Sequence, residues 1–125
     1  MSDSILLVED DETLRSALAF NLRAHGLDVV EADSCEGAVA QLEMGLRPAL
    51  VLLDINLPDD TGWSLLRNPA LVAAGSPPVV VTTATAVSPR RLREFNVAGY
   101  LPKPFPMETL QSTIDRLLNK ETVDQ

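Results

Sequence analysis

One stretch limits what this chain can fold into: Leu50-Val51-Leu52-Leu53-Asp54-Ile55-Asn56-Leu57-Pro58-Asp59-Asp60-Thr61-Gly62. Its four successive apolar residues read as a strand buried on both faces, because a strand wetted on one side alternates apolar and polar residues. Such strands belong to parallel sheets covered by helices above and below. This one ends on a carboxylate, Asp54, and Pro58 and Gly62 then turn the chain. In a parallel α/β sheet, ligands bind at the carboxyl ends of the strands. Asp54 is therefore either a turn acid capping the next helix or a functional carboxylate, and the remaining residues must decide.

The rest of the chain repeats the strand-then-helix pattern. Ile5-Leu6-Leu7-Val8 is a short buried strand ending at Glu9-Asp10-Asp11, and Asp11 precedes a helix with Leu14, Ala17, Leu18 and Leu22 on one face, closed by His25-Gly26. Asp28 to Ala32 is a second strand. Ser34 caps a helix carrying Ala38, Val39 and Leu42 that stops at Gly45. After the Leu50 strand, the helix beginning near Thr61 is irregular, because Asn68-Pro69 breaks or kinks it after two turns. Val79 to Thr83 is a β-branched fourth strand. Ser88-Pro89 opens a short basic helix with Arg90, Arg91 and Arg93, and Asn96 suits its left-handed end. Gly99 to Pro102 is a brief fifth strand, followed by Lys103-Pro104-Phe105. The last helix, from Pro106 to about Lys120, lines up Met107, Leu110, Ile114, Leu117 and Leu118. Five βα units in strict alternation imply an α/β fold, a doubly wound five-stranded parallel sheet with helices on both faces.

At 125 residues the chain is one domain by size, expected to span residues 1–120, with 121–125 a frayed end or the start of a linker. Aromatic residues are only 4%, so the core is aliphatic. A formal net charge of −8 opposes sequence-independent attraction to nucleic acid or to anionic membranes. The amino terminus offers no signal peptide or membrane span, which points to a cytoplasmic protein. The single cysteine, Cys35, allows no internal disulfide and reads as structural.

Polar residues gather at the strand ends: Asp10 and Asp11 after the first strand, Asp54 after the third, Thr82 and Thr83 at the end of the fourth, and Lys103 after the fifth. All could converge on one crevice. Carboxylates within about 4 Å of each other repel by about 4 kcal/mol per pair at an effective dielectric near 20. A hard divalent cation relieves that repulsion, and Mg²⁺ held by carboxylates, a carbonyl and waters suits the site, with Mn²⁺ an alternative. The metal would also neutralise a phosphoryl group, Lys103 would supply a point charge and a threonine hydroxyl a hydrogen bond. Asp54 would then be the nucleophile that forms an aspartyl phosphate.

With these motifs in order, Asp10-Asp11, Asp54 with Leu57-Pro58 and Gly62, Thr83-Ala84, and Tyr100 three residues before Lys103-Pro104-Phe105, the sequence resembles a response-regulator receiver domain of two-component signalling, from Ile5 to about Leu118. The resemblance implies the flavodoxin-like (βα)5 receiver fold with strand order 2-1-3-4-5, an order the family itself exemplifies. It also implies Asp54 as phosphoacceptor, Mg²⁺ ligation by Asp11, Asp54 and the Asn56 backbone carbonyl, and help from Asp10 through water. Lys103 and Thr83 are to contact the phosphoryl group, Thr83 and Tyr100 to act as switch residues, and Lys103-Pro104 to be a cis peptide. Asn56 and Thr85 occupy the variable positions with which the family sets the lifetime of the phosphorylated state. The implied partners are a sensor histidine kinase or phosphotransfer protein, a downstream effector, and a phosphorylation-dependent homodimer. The expected output surface is the fourth helix, fifth strand and fifth helix.

Plainer roles stand beside these. Asp11 can simply cap the first helix, Asp59 and Asp60 read as solvated turn acids, His25 as a favourable charge at a helix end, and Trp63 as a partly packed residue near the site. Three rival functions compete. A degenerate receiver would act only as an interaction module. A small phosphatase with an aspartate nucleophile needs a second aspartate two residues on, where this chain has Asn56. A nucleotide-binding flavodoxin-like protein needs a glycine-rich loop after the first strand, which is missing.

Overall fold

A computed structural model describes residues 3–118. Five parallel strands form one sheet in the order β2-β1-β3-β4-β5, with β1 Ser4–Val8, β2 Asp28–Ala32, β3 Leu50–Asp54, β4 Val79–Thr83 and β5 Gly99–Pro102. Between and after them run α1 Glu12–Ala24, α2 Cys35–Glu43, α3 Gly62–Leu66, α4 Pro69–Ala73, α5 Pro89–Glu94 and α6 Met107–Leu118. The doubly wound sheet and its order agree with expectation. Residues 119–125, including the expected last turn to Lys120 and the tail, lie outside the described residues.

Alternation along each strand divides the core into two layers. Leu6, Val8, Val51, Leu53, Val79 and Val81 pack with Ala38 and Leu42 of α2, Leu65 of α3 and Leu71 of α4. Ile5, Leu7, Leu50, Leu52 and Val80 pack with Leu18, Ala19 and Leu22 of α1 and with Leu110 and Ile114 of α6. Every residue of β3 is buried, which explains why its sequence is continuously apolar up to Asp54.

Two details depart from the expected pattern. Ala17 is exposed, and Ala19 takes the buried position on α1, because the stripe set by Leu14, Leu18 and Leu22 extends toward the sheet on the side of Arg15 and Ala19 rather than on that of Ala17. The Asn68-Pro69 break is complete. It yields two five-residue helices, with Pro69 at the first turn of α4 and the Asn68 side chain accepting from the Ala70 amide at 2.9 Å. Consequently, the helix before β5 is the fifth of the molecule and the one after it the sixth. Asn96 ends α5 with φ 54°, the left-handed geometry anticipated there.

Candidate functional site at the carboxyl edge of the sheet

Asp54 closes β3 and is 3% exposed. One of its oxygens accepts the Asn56 amide at 3.0 Å and the other lies 3.3 Å from Lys103 Nζ. Lys103 reaches it from the turn after β5, where the Lys103 amide donates to the Thr83 carbonyl at 2.8 Å and the Lys103-Pro104 bond is cis. The loop after β3 folds tightly back. The Gly62 amide donates to Ile55 O at 2.8 Å, and a Cβ on Gly62 would meet the Asp54 carbonyl at 2.9 Å and an Ile55 methyl at the same distance. Only glycine fits there.

The shorter bond of Lys103 is to Glu9, at 2.7 Å. Glu9 continues the ladder past β1 by donating its amide to Ala32 O, and its side chain is almost fully buried. Burial pushes the Glu9 carboxyl above its usual range, against the opposing pull of the Lys103 hydrogen bond. Burial acts to lower the Lys103 ammonium, yet its hydrogen bonds and charge pairing with Glu9 and Asp54 outweigh that and raise it. Lys103 is therefore a cation held between two buried carboxylates.

Carboxylate oxygens of Glu9, Asp10 and Asp54 lie within 4.8 Å of one another. The acids that gather are thus Glu9 and Asp10 with Asp54, where the sequence reading has Asp11 with Asp54 and Asp10 behind them. Asp11 stands outside the cluster as the N-cap of α1, its carboxylate accepting from the Leu14 amide at 3.1 Å. Asp10, exposed at the rim, joins the cluster directly, and Glu9 is the acid that sequence reasoning passed over. If the strand is continued past Val8, the period of two puts Glu9 on the side of Ile5 and Leu7, which α1 and α6 cover. The all-oxygen, triply acidic donor set of Glu9, Asp10 and Asp54 suits a hard divalent cation.

Thr83 is fully buried, and its hydroxyl accepts from Asn56 Nδ2 at 3.1 Å and lies 2.9 Å from the Thr85 hydroxyl. Alternation puts Thr82 on the opposite side, with Val80. Tyr100 packs, half-buried, on the same side of the sheet as Val81, its register partner two residues before Thr83. Asp59 is not a free turn acid. Its two oxygens accept the Cys35 and Glu36 amides at 3.0 and 2.9 Å, which holds its carboxyl below the usual range. Trp63, at the start of α3, stacks against Phe95 at 4.9 Å between ring centroids.

The family model for the response regulator receiver domain matches residues 5–115. This chain is a response-regulator receiver domain. It is 37% identical to the transcriptional activator protein PfeR of Pseudomonas aeruginosa, over 99% of this chain and 40% of PfeR. The non-phosphorylated HemR receiver domain of Leptospira biflexa superposes with a TM-score of 0.79 at 33% identity, covering 94% of each chain. A CheY-like receiver domain protein of Methanospirillum hungatei shares the fold over the full length of both chains, with a TM-score of 0.88 at 24% identity. The receiver domain spans about half the length, or less, of the curated relatives it matches. No helix among the described residues is long and apolar enough to cross a membrane.

Proposed function

We propose that this receiver domain is a phosphoacceptor switch in which Asp54 takes a phosphoryl group from a phosphohistidine on a sensor kinase or phosphotransfer protein, or from a small phosphodonor. The observation that carries this reading is the buried Asp54 carboxylate, 3.3 Å from Lys103 and clustered with Glu9 and Asp10. Mg²⁺, or Mn²⁺ in its place, would be held by Asp10 and Asp54 with the Asn56 backbone carbonyl, and by Glu9. When bound, the metal supplies charge neutralisation to the acids and to the incoming phosphoryl group.

The residues of the chain do the rest. An Asp54 oxygen forms the new bond to phosphorus as the bond from phosphorus to the donor's imidazole nitrogen breaks and the imidazole leaves. Lys103 already sits against Asp54 and pairs with a phosphoryl oxygen. Thr83 gives up its Asn56 contact and donates its hydroxyl to another. Tyr100, on the same side of the sheet, follows Thr83 inward, and the surface of α5, β5 and α6 changes with it. Arg90, Arg91 and Arg93 give that surface its charge. A downstream effector, or a second phosphorylated copy of the chain, would read it. The unit is taken to run to about residue 120, with a cytoplasmic setting and no direct contact with nucleic acid or membrane.

The test is the intact mass after incubation with acetyl phosphate and Mg²⁺, beside Asp54→Asn and a sample with chelator. The expected result is one added phosphoryl group that requires both Asp54 and the metal. Labelling that survives in Asp54→Asn would remove Asp54 from the role. A wild-type protein that binds no divalent cation and takes no phosphoryl group would leave a module working through protein contacts alone.

A further inference from the structure

The loop from Asn56 to Thr61 carries much of the site, and most of it is exposed: Asn56 and every residue from Pro58 to Thr61 face solvent. Its base is pinned by the Asn56–Thr61 bridge and by the Gly62–Ile55 hydrogen bond. Its tip is held by a different element. Asp59 Oδ1 accepts the Cys35 amide and Oδ2 the Glu36 amide, the first two helical residues of α2, while the Cys35 thiol donates to Thr61 O at 3.3 Å. The side chain of the cap residue Ser34 accepts the Gly37 amide, at 3.0 Å, and neither of the two amides that Asp59 holds. The start of α2 therefore has two separate supports, one local and one reaching 23 residues or more across the fold.

We infer that Asp59 is a positioning residue for the divalent-cation site: by tying the tip of this loop to α2 it holds Asn56 where its amide bonds Asp54 and its side chain bonds Thr83, although Asp59 touches none of the clustered acids. The inference rests on the metal-binding reading above. With the tip released, the loop keeps its base and the Cys35 thiol contact at Thr61 but loses the tie between them, and more of it must be ordered at the moment the cation binds. That ordering weakens the observed affinity.

The structure also supplies the control. Ser34→Ala removes a cap from the same helix end without touching the loop, so a residue that merely stabilised α2 would be mimicked by it. Mn²⁺ alone, titrated into the unphosphorylated protein and followed by the electron paramagnetic resonance of the free ion, reads the site without any phosphodonor. Asp59→Ala is expected to weaken Mn²⁺ binding three- to tenfold, Asp59→Asn to recover part of the loss through its one remaining acceptor, and Ser34→Ala to stay within twofold of wild type. Amide exchange at Cys35 and Glu36 should quicken in Asp59→Ala, which reports the lost bonds independently of the metal. Equal affinities for Asp59→Ala and wild type, or an equal loss in Ser34→Ala, would overturn the inference and leave the metal reading intact. A wild-type protein that leaves the Mn²⁺ signal unchanged would overturn both.

Discussion

Along Glu9-Asp10-Asp11, one step in sequence changes what a carboxylate does. Glu9 still belongs to the sheet ladder and is buried against Lys103, Asp10 stands at the rim, and Asp11 has turned to cap α1. Three acids in a row were plain in the sequence, but where strand gives way to cap was not, because both registers leave two acids near the crevice. Asp11 carried a cap signal as well as an acidic one, and in the structure it caps α1 and stands outside the cluster. Lys103 is the cation that makes the buried pair tolerable, and removing one partner of such a pair leaves a charge without compensation. Lys103→Ala is expected to lower stability at pH 7 by about 3 kcal/mol in urea unfolding. The sign of its pH dependence follows from Glu9, whose folded carboxyl is raised by burial. A raised acid favours the folded state below its unfolded value near 4.5 and loses that benefit as pH rises through the higher folded value. The penalty in Lys103→Ala should therefore shrink as pH falls toward 4.5 and Glu9 takes up its proton. A loss that stays constant from pH 7 to 4.5 would mean that Glu9 is not the group left uncompensated.

Among the elements, α5 is the least secured, for none of its residues is buried. What ties it to α3 is a cluster of aromatic and charged side chains. The Trp63 and Phe95 rings meet at 31°, the Arg67 guanidinium lies 4.8 Å from the Phe95 centroid, and the Arg91 guanidinium lies 5.4 Å from that of Trp63. Glu94 sits 3.7 Å from Arg67 and 3.8 Å from Arg91. The ion pairs are exposed and add little. The ring pair and the cation–π contacts contribute about 0.5–1.5 and 0.5–1 kcal/mol each. Sequence reasoning found the basic residues of α5 and the break at Asn68-Pro69. It missed this clasp, because Trp63 and Phe95 lie far apart in the chain and meet only once α3 and α5 lie side by side. Phe95→Ala should cost about 2 kcal/mol, from the lost ring burial and stacking, and should shift Trp63 fluorescence to longer wavelength as water reaches the indole. Acetyl phosphate should still label Asp54 in that variant. Unchanged emission would show that the two rings do not meet in solution.

For the molecule as a whole, function and stability pull the carboxyl edge of the sheet in opposite directions. The two apolar layers were legible because each strand spells its two faces in alternate residues, and β3, buried throughout, declared the sheet parallel. The order 2-1-3-4-5 was not legible from alternation, which says nothing about lateral neighbours; it came with the family resemblance, and the strand pairings agree. Chain connectivity sends the ends of β1 and β3 to the same edge, so Glu9, Asp10 and Asp54 cluster there with Lys103 the cation bonded to two of them. Three acidic side chains gather there around one ammonium, in a chain whose formal net charge is already −8. On the phosphoacceptor reading such a site is kept at the expense of stability, and a cation that binds only the folded state would return it. At ten times its dissociation constant, Mg²⁺ should add about 1.4 kcal/mol, which for a domain of this size raises the melting temperature by roughly 6 °C. Asp54→Asn removes one of the three acids, so without metal it should melt no lower than wild type, and it should lose most of the Mg²⁺-dependent rise. Calorimetric melting of both proteins with and without Mg²⁺ separates the two effects. A variant that keeps the full rise would place the cation elsewhere, and one that melts well below wild type without metal would mean that the Asp54–Lys103 pairing outweighs the repulsion around it.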